Sequence, residues 1–369
     1  MRERGVATSN WRRGTRIAKC HVSAHESVHE GAHESVHWSV NESAHESMHG
    51  RESVALVRGR LRVVRFTRAG ESSRAPAPQG ERLQRDEDRA EQFKRDGFVI
   101  LDRIIDVQAV AIARRSLDRI LAGQYHGDRR PPALQASPHP IFGDAHTTHW
   151  VVNGRLLDAD LWSLVTRAEL GRAAARLLET RAVSVIEDQL LDKPPGGAPL
   201  ATHQDYRYWQ FSTSPRMLTC WIALDDMSPE IGTVQVVPGS HRWGHQVVER
   251  NLAEDFRASV DGATSYLQVA EALRPPDAEI QLTPVIVPTG GGVLFHSLTI
   301  HSSGRNTTDR RRRALSIHYA SAECRIIPVK TYDQAFPYCF ARLKEGDRLV
   351  NKYLPEVYSA DPPSTRVDS

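Results

Sequence analysis

The sequence predicts a mainly β fold with flanking helices, a sandwich or jelly-roll barrel, on three observations. From Val183 onward short apolar runs recur, each bounded by Gly, Pro, Asp or Ser, which is the signature of many short strands joined by turns. Between residues 90 and 178 the apolar residues recur instead with helical spacing. A chain of 369 residues, 40% of them hydrophobic, is long enough to bury one large core or two smaller ones.

Residues 1–88 are unlike the rest. A four-residue period places His21, His25, His29, His33, His37, His45 and His49 in one register, with Asn41 in the gap. On a helix that register would stack imidazoles at i and i+4, where they can chelate a divalent ion. The plainer reading is a low-complexity repeat with too few large apolar residues to offset its ordering entropy, followed by an Arg-rich linker. Disorder is therefore expected for 1–88. The ordered domain is expected over 89–345, with 346–369 as a C-terminal tail.

Within the ordered part, Glu91 to Arg95 reads as a helix end, Gly97 as its stop and Phe98–Leu101 as a strand. Asp106 caps a helix that runs through Val110, Leu117 and Leu121 to Gly123. Arg130 to Pro140 is a Pro-rich loop, and Leu161 to Leu178 is a second helical region. Strands follow at Val183–Ile186, Met217–Leu224, Thr233–Val237, Val285–Val287, Val293–Phe295 and Ala314–Tyr319. The helices should pack on one outer sheet face, and the long insertion 241–281 reads as a lid beside the barrel mouth.

Net charge is +3 and no basic run carries interleaved aromatics, which argues against nucleic acid as a partner. Four cysteines without a Cys-x-x-Cys pair fit buried, reduced thiols. No apolar run is long enough to span a bilayer, nor is there an apolar segment of the kind a secretory signal needs. The expectation is a cytoplasmic protein without membrane contact, acting on a small molecule, its oligomeric state open.

The chemistry centres on His203-Gln204-Asp205. On an extended segment His203 and Asp205 point to one face, so an imidazole and a carboxylate can meet one ion. His301 is the best third partner, although His241, His245, His296 and His318 are rivals. Two histidines and a carboxylate with an open opposite face suit non-haem Fe(II). Arg312 shares a strand face with Ala314, Ser316 and His318, and an inward guanidinium is costly to bury without an anion. The terminal carboxylate of a dicarboxylate cosubstrate would supply that anion.

Four ordered blocks then make a family visible. His203-Gln204-Asp205, Trp221-Ile222-Ala223-Leu224, Gly232 to His241, and His301-Ser302-Ser303-Gly304-Arg305-Asn306 through Ser316 closely resemble the phytanoyl-CoA dioxygenase family over about residues 90 to 330. Lys193-Pro194-Pro195 and Ala320 to Cys324 add to the likeness. The resemblance implies a double-stranded β-helix, a cupin-like jelly roll, with Fe(II), 2-oxoglutarate and O2. It implies His203, Asp205 and His301 as iron ligands and Arg312 at the distal carboxylate, helped by Ser303, with Gln204 and Trp221 lining the pocket. Gln189 and His149 fall where the family has further cosubstrate contacts. Asp205 stands where related halogenases carry a small residue, which favours hydroxylation or another oxidation. Tyr206, Tyr208 and Trp209 are substrate-side candidates. The competing readings are a jelly-roll protein that binds 2-oxoglutarate or metal without turnover, and a jelly-roll isomerase or hydrolase using another divalent ion.

Overall fold

The structure, a computed structural model, describes residues 86–127, 129, 148–245, 266–327 and 343–361, and as backbone alone 79–85, 141–142 and five strands between residues 6 and 65. The chain divides into two units, Met1–Pro78 and Gln79–Ser369. In the first, β1 (Val6–Arg13), β2 (Arg16–His25) and β3 (His37–Val40) pair antiparallel, and β4 (Glu52–Val57) pairs with β5 (Arg60–Arg65). Residues 26–36 and 41–50 of the histidine repeat lie outside the described residues.

The second unit opens on helix α1 (Gln79–Asp96), which takes in the residues where the ordered domain was expected to begin. Gly97, at φ 82°, ends the helix in the left-handed region that favours glycine, and β6 (Phe98–Leu101) follows. The Asp106 carboxylate accepts from Ala109 N at 2.7 Å and starts α2 (Val107–Leu121). After β7 (Ile141–Phe142) and β8 (His149–Val152), the expected single helix over 161–178 is two, α3 (Ala159–Val165) and α4 (Ala168–Leu177). Arg167, with φ −61° and ψ 126°, is extended and breaks the run.

The strand expected at Val183–Ile186 is longer, β9 (Ala182–Lys193). Its polar half hid it from a hydrophobicity reading, because Asp188 is buried against Arg155 at 2.6 Å, both side chains fully enclosed. The remaining strands are β10 (Leu200–His203), β11 (Met217–Ala223), β12 (Val234–Val236), β13 (Thr283–Pro284), β14 (Gly292–His296), β15 (His301–Ser303), β16 (Arg312–Ser321) and β17 (Glu356–Ser359). The strand expected at Val285–Val287 is a two-residue pairing just before it.

Two antiparallel sheets result. The large one runs β6-β14-β11-β16-β9-β8-β7, with β17 also on β9; the small one runs β10-β15-β12-β13. Gly292 is required where β14 meets β11, since a Cβ there would lie 2.0 Å from Trp221 O. The mainly β, jelly-roll expectation holds. Val99, Leu218, Ile222, Leu294, Leu315 and Ile317 form the outer face of the large sheet and join one core with Ala113, Leu117, Ile120 and Leu161 of the helices. Trp221, Val293, Phe295 and Ala314 of the opposite face share a second core with Val234 and Val236 of the small sheet.

The segment expected as a tail from 346 is part of this unit, for β17 extends the sheet and Tyr353 O accepts from Arg155 at 2.8 Å. Of the expected lid, 246–265 lie outside the described residues; α5 (Gln268–Leu273) follows Tyr266, whose carbonyl accepts from Thr202 N at 2.9 Å. Among the described residues no helix is long and apolar enough to cross a membrane.

Candidate metal centre

His203 ends β10 and His301 starts β15, and the two are paired across the strands, which brings their rings to 4.1 Å. Asp205 reaches them differently from the extended geometry expected. Gln204 is still extended, but Asp205 opens a 3-10 turn, Asp205–Tyr208. Its Oδ1 lies 3.4 Å from His301 Nε2 and 3.9 Å from His203 Nε2. One ligand atom from each residue falls within 4.8 Å of the others.

The imidazoles are poised as ligands. His203 Nδ1 lies 3.0 Å from Ala201 O and His301 Nδ1 3.0 Å from Thr299 O, so each Nδ1–H donates to a carbonyl and leaves the Nε2 lone pair for an ion. Burial, with His301 beside it, pushes His203 down to about 3, so it is neutral at pH 7. Burial alone would raise the Asp205 carboxyl, but His301, His318 and His203 hold it well below the usual carboxylate range. Its Oδ2 accepts from the Thr219 hydroxyl, which leaves Oδ1 facing the histidines.

A second group, His126, Asp158 and Asp160, also has ligand spacing. There Arg119 already supplies the positive charge, at 2.5 Å from Asp158 and 3.1 Å from Asp160, and Asp158 also caps α3 through Leu161 N.

Alternation places Arg312 on the inner face of the large sheet, where its Cζ lies 5.9 Å from the Trp221 ring. It is 3% exposed, and its Nε is buried without a hydrogen-bond partner. The nearest carboxylates are engaged elsewhere, Asp192 with Arg311 and Asp225 with Arg313 and Arg114. Burial lowers the guanidinium to about 10. Lys193, its cross-strand partner, is fully buried and donates to Ser303 Oγ at 2.8 Å and Gly304 O at 2.6 Å. Desolvation, then Arg312 and Arg305, push its ammonium well below the usual range. This end of the barrel is built for a negative charge.

The other expected residues divide. Gln189 and Trp221 face inward, and the Gln189 amide donates to the Glu187 carboxylate. Gln204 donates its amide hydrogens to Gly244 O at 2.9 Å and Leu298 O at 2.8 Å. His149 pairs with Asp192 while Trp150 pairs with Leu191, so strand alternation sends His149 to the outer face and Trp150 inward. The three aromatic candidates lie on and just after the 3-10 turn. Tyr206 and Trp209 are buried in one core with Tyr208 packed against it, and the Tyr206 hydroxyl donates to Ser212 O at 3.0 Å. Tyr208 lies 6.2 Å from the His203 ring and Trp209 4.9 Å from that of His318.

Sequence reasoning missed Thr219, Glu187 and the function of Lys193, and left His318 as a rival ligand. Their signal is the inward parity they share with Arg312, legible only once the strand register is known.

The phytanoyl-CoA dioxygenase family profile matches residues 93–314. The human peroxisomal phytanoyl-CoA dioxygenase is 29% identical over 156 residues, 41% of this chain and 44% of that protein. A Stutzerimonas stutzeri protein described as a probable alpha-ketoglutarate-dependent hypophosphite dioxygenase is 37% identical over 134 residues, 36% of this chain and 43% of that one. The matched stretch thus spans less than half the length of these two curated relatives. Among solved structures, the non-heme alpha ketoglutarate dependent epimerase SnoN from nogalamycin biosynthesis shares the fold at TM-score 0.57 and 22% identity, over 74% of this chain and 99% of that one. EctD from S. alaskensis, solved with 2-oxoglutarate and 5-hydroxyectoine, shares it at TM-score 0.53 and 20% identity, over 71% and 85%. With the profile matching well over half of the chain and taking in His203, Asp205, His301 and Arg312, the chain belongs to the phytanoyl-CoA dioxygenase family.

Proposed function

We propose that the chain is an Fe(II)- and 2-oxoglutarate-dependent dioxygenase that hydroxylates, or otherwise oxidises, a C–H bond of a small organic molecule. The observation that carries this is the convergence of His203, Asp205 and His301 within 4.8 Å in the barrel that also encloses Arg312, whose buried Nε has no hydrogen-bond partner among the described residues. The donor set fits Fe(II), being two imidazoles and one carboxylate. The buried guanidinium fits the distal carboxylate of 2-oxoglutarate through charge-assisted hydrogen bonds. When bound, the metal and cosubstrate supply the oxidising power, consuming O2 and giving succinate and CO2.

The protein's own contribution is placement. Ala201 O and Thr299 O hold the two imidazoles in the ligand tautomer, and Thr219 holds one carboxylate oxygen of Asp205 so that the other serves the metal. Lys193 donates to the Ser303 oxygen, which leaves the Ser303 hydrogen free to serve an acceptor. The apolar lining of Trp221, Val293 and Phe295 keeps bulk water from the reacting centre.

The test is succinate formation from 2-oxoglutarate in the purified protein. Turnover should require added Fe(II), and Asp205→Ala should abolish it; an Asp205→Ala protein with normal turnover overturns the proposal. Tight 2-oxoglutarate binding with no succinate across a substrate panel would instead indicate the non-catalytic binding protein.

A further inference from the structure

Two basic side chains stand together at the Ser303 end of the barrel. Lys193 and Arg312 are directly opposite each other on β9 and β16, so they share the inner face, and both are buried. The charged groups around Lys193 are cations, Arg312 across the ladder and Arg305 in the loop after β15. Asp192, next in the chain, faces the other side of β9 and is held by Arg311, while Asp225 is held by Arg313 and Arg114. Arg305 itself donates to Gly196 O at 2.9 Å.

The hydrogens of Lys193 fix its state. A neutral amine has two hydrogens and a lone pair, an ammonium three hydrogens. Two acceptors meet Nζ, Ser303 Oγ at 2.8 Å and Gly304 O at 2.6 Å. They match the neutral amine, whereas an ammonium would bury its third hydrogen beside two other cations. Desolvation, then Arg312 and Arg305, act in the same direction and hold the group well below the usual lysine range. The stem is closely packed, since a Cβ on Gly197 would lie 2.6 Å from Lys193 Cγ. The amine therefore changes its charge in place rather than by swinging out to water.

We propose that Lys193 is a positioning residue that takes up a proton from solvent when the distal carboxylate of 2-oxoglutarate arrives, and so grips Ser303 with a charge the empty site does not carry. An anion close to a buried amine favours the charged form, and a charged donor holds the Ser303 oxygen more tightly. The Ser303 hydrogen is then left for the carboxylate. One N–H bond forms at Nζ with a proton from water or buffer, and nothing is oxidised. The complex holds one more proton than its separate parts, so binding tightens as pH falls, by up to about tenfold per pH unit. The carboxyl groups of the cosubstrate, with ordinary values of about 4, stay ionised from pH 7 to 9, and Arg312, at about 10, stays charged. The role rests on the oxygenase reading above and deepens it.

The experiment uses the full chain loaded anaerobically with Fe(II) and titrated calorimetrically with 2-oxoglutarate at pH 7, 8 and 9, each in two buffers of different ionisation enthalpy. The unaltered protein should take up a proton on binding, and its affinity should fall by at least about tenfold from pH 7 to 9. Lys193→Met removes the amine at nearly constant length; it should bind about tenfold more weakly at pH 7 and lose the pH dependence. A flat affinity without buffer effect in the unaltered protein overturns the proposal, and that measurement needs no variant to fold. A pH dependence that persists in Lys193→Met overturns it equally. The charge-transfer absorption of the Fe(II)–2-oxoglutarate complex is read in the same samples. Its presence with a flat pH profile sinks the role of Lys193 and leaves the oxygenase reading; its absence, with proton-coupled binding that Lys193→Met loses, does the reverse.

Discussion

Single atoms decide the chemistry of this site. The Asp205 carboxylate has one oxygen tied to Thr219 and one facing the imidazoles. Thr219→Val keeps the shape and removes the hydroxyl, so affinity for Fe(II), read by anaerobic titration, should fall about 10–100-fold; unchanged affinity would show that the bond orients nothing. Arg312→Met removes the cation without enlarging the pocket. The apparent KM for 2-oxoglutarate should rise about 10–100-fold while Fe(II) affinity stays level, as expected for the loss of hydrogen bonds between charged groups. Arg312→Lys should restore little, because an ammonium lacks the planar fork that grips a carboxylate. Cys220 makes the opposite point: burial pushes its thiol up to about 12, so alkylating reagents should modify it only after unfolding. At this scale much was legible. His203, Asp205, His301 and Arg312 stood out through the ordered family blocks that carry them, whereas Thr219 and Glu187 are ordinary strand residues until a neighbour gives them a task.

Each element owes its place to one feature. The Asp106 cap and the periodic apolar face of α2 were readable in sequence because both are local. The split at Arg167 and the length of β9 were not, since a broken helix and a polar strand half depend on partners distant in the chain. Leu117 of α2 is fully buried against the large sheet, and Leu117→Ala should cost about 2–5 kcal/mol in urea unfolding. Gly292→Ala should be worse than its size suggests, because its Cβ would collide with Trp221 O and part β14 from β11; loss of soluble protein, or a large drop in melting temperature, is the expected result. The 3-10 turn after His203 shows the limit of pattern reading. Period two holds while the chain is extended, and Asp205–Tyr208 leaves the strand, so alternation no longer says which way Asp205 and the tyrosines after it face.

The molecule as a whole should be sensitive to acid. Burial depresses His296 and His318 to about 4 and His203 to about 3, against about 6.5 in an unfolded chain. Below pH 6.5 the unfolded state therefore takes up protons that the folded state refuses. Stability is complete above that pH and falls as pH drops toward 4, by up to about 1.4 kcal/mol per pH unit for each histidine. Urea midpoints of the metal-free protein at pH 7, 6 and 5 should decline in that order; a flat series would refute the burial of these rings. By itself, the sequence determined the mainly β class and the helical layer, because composition and periodicity are written locally, while its resemblance to a known family pointed to His203, Asp205, His301 and Arg312 as candidates. Only the tertiary structure decided that His203 and His301 pair across strands, that His149 turns to the outer face, and that Lys193 and Glu187 lie at opposite ends of the inner face of β9. Strand register fixes each of these, and register is set by packing between residues far apart in the chain.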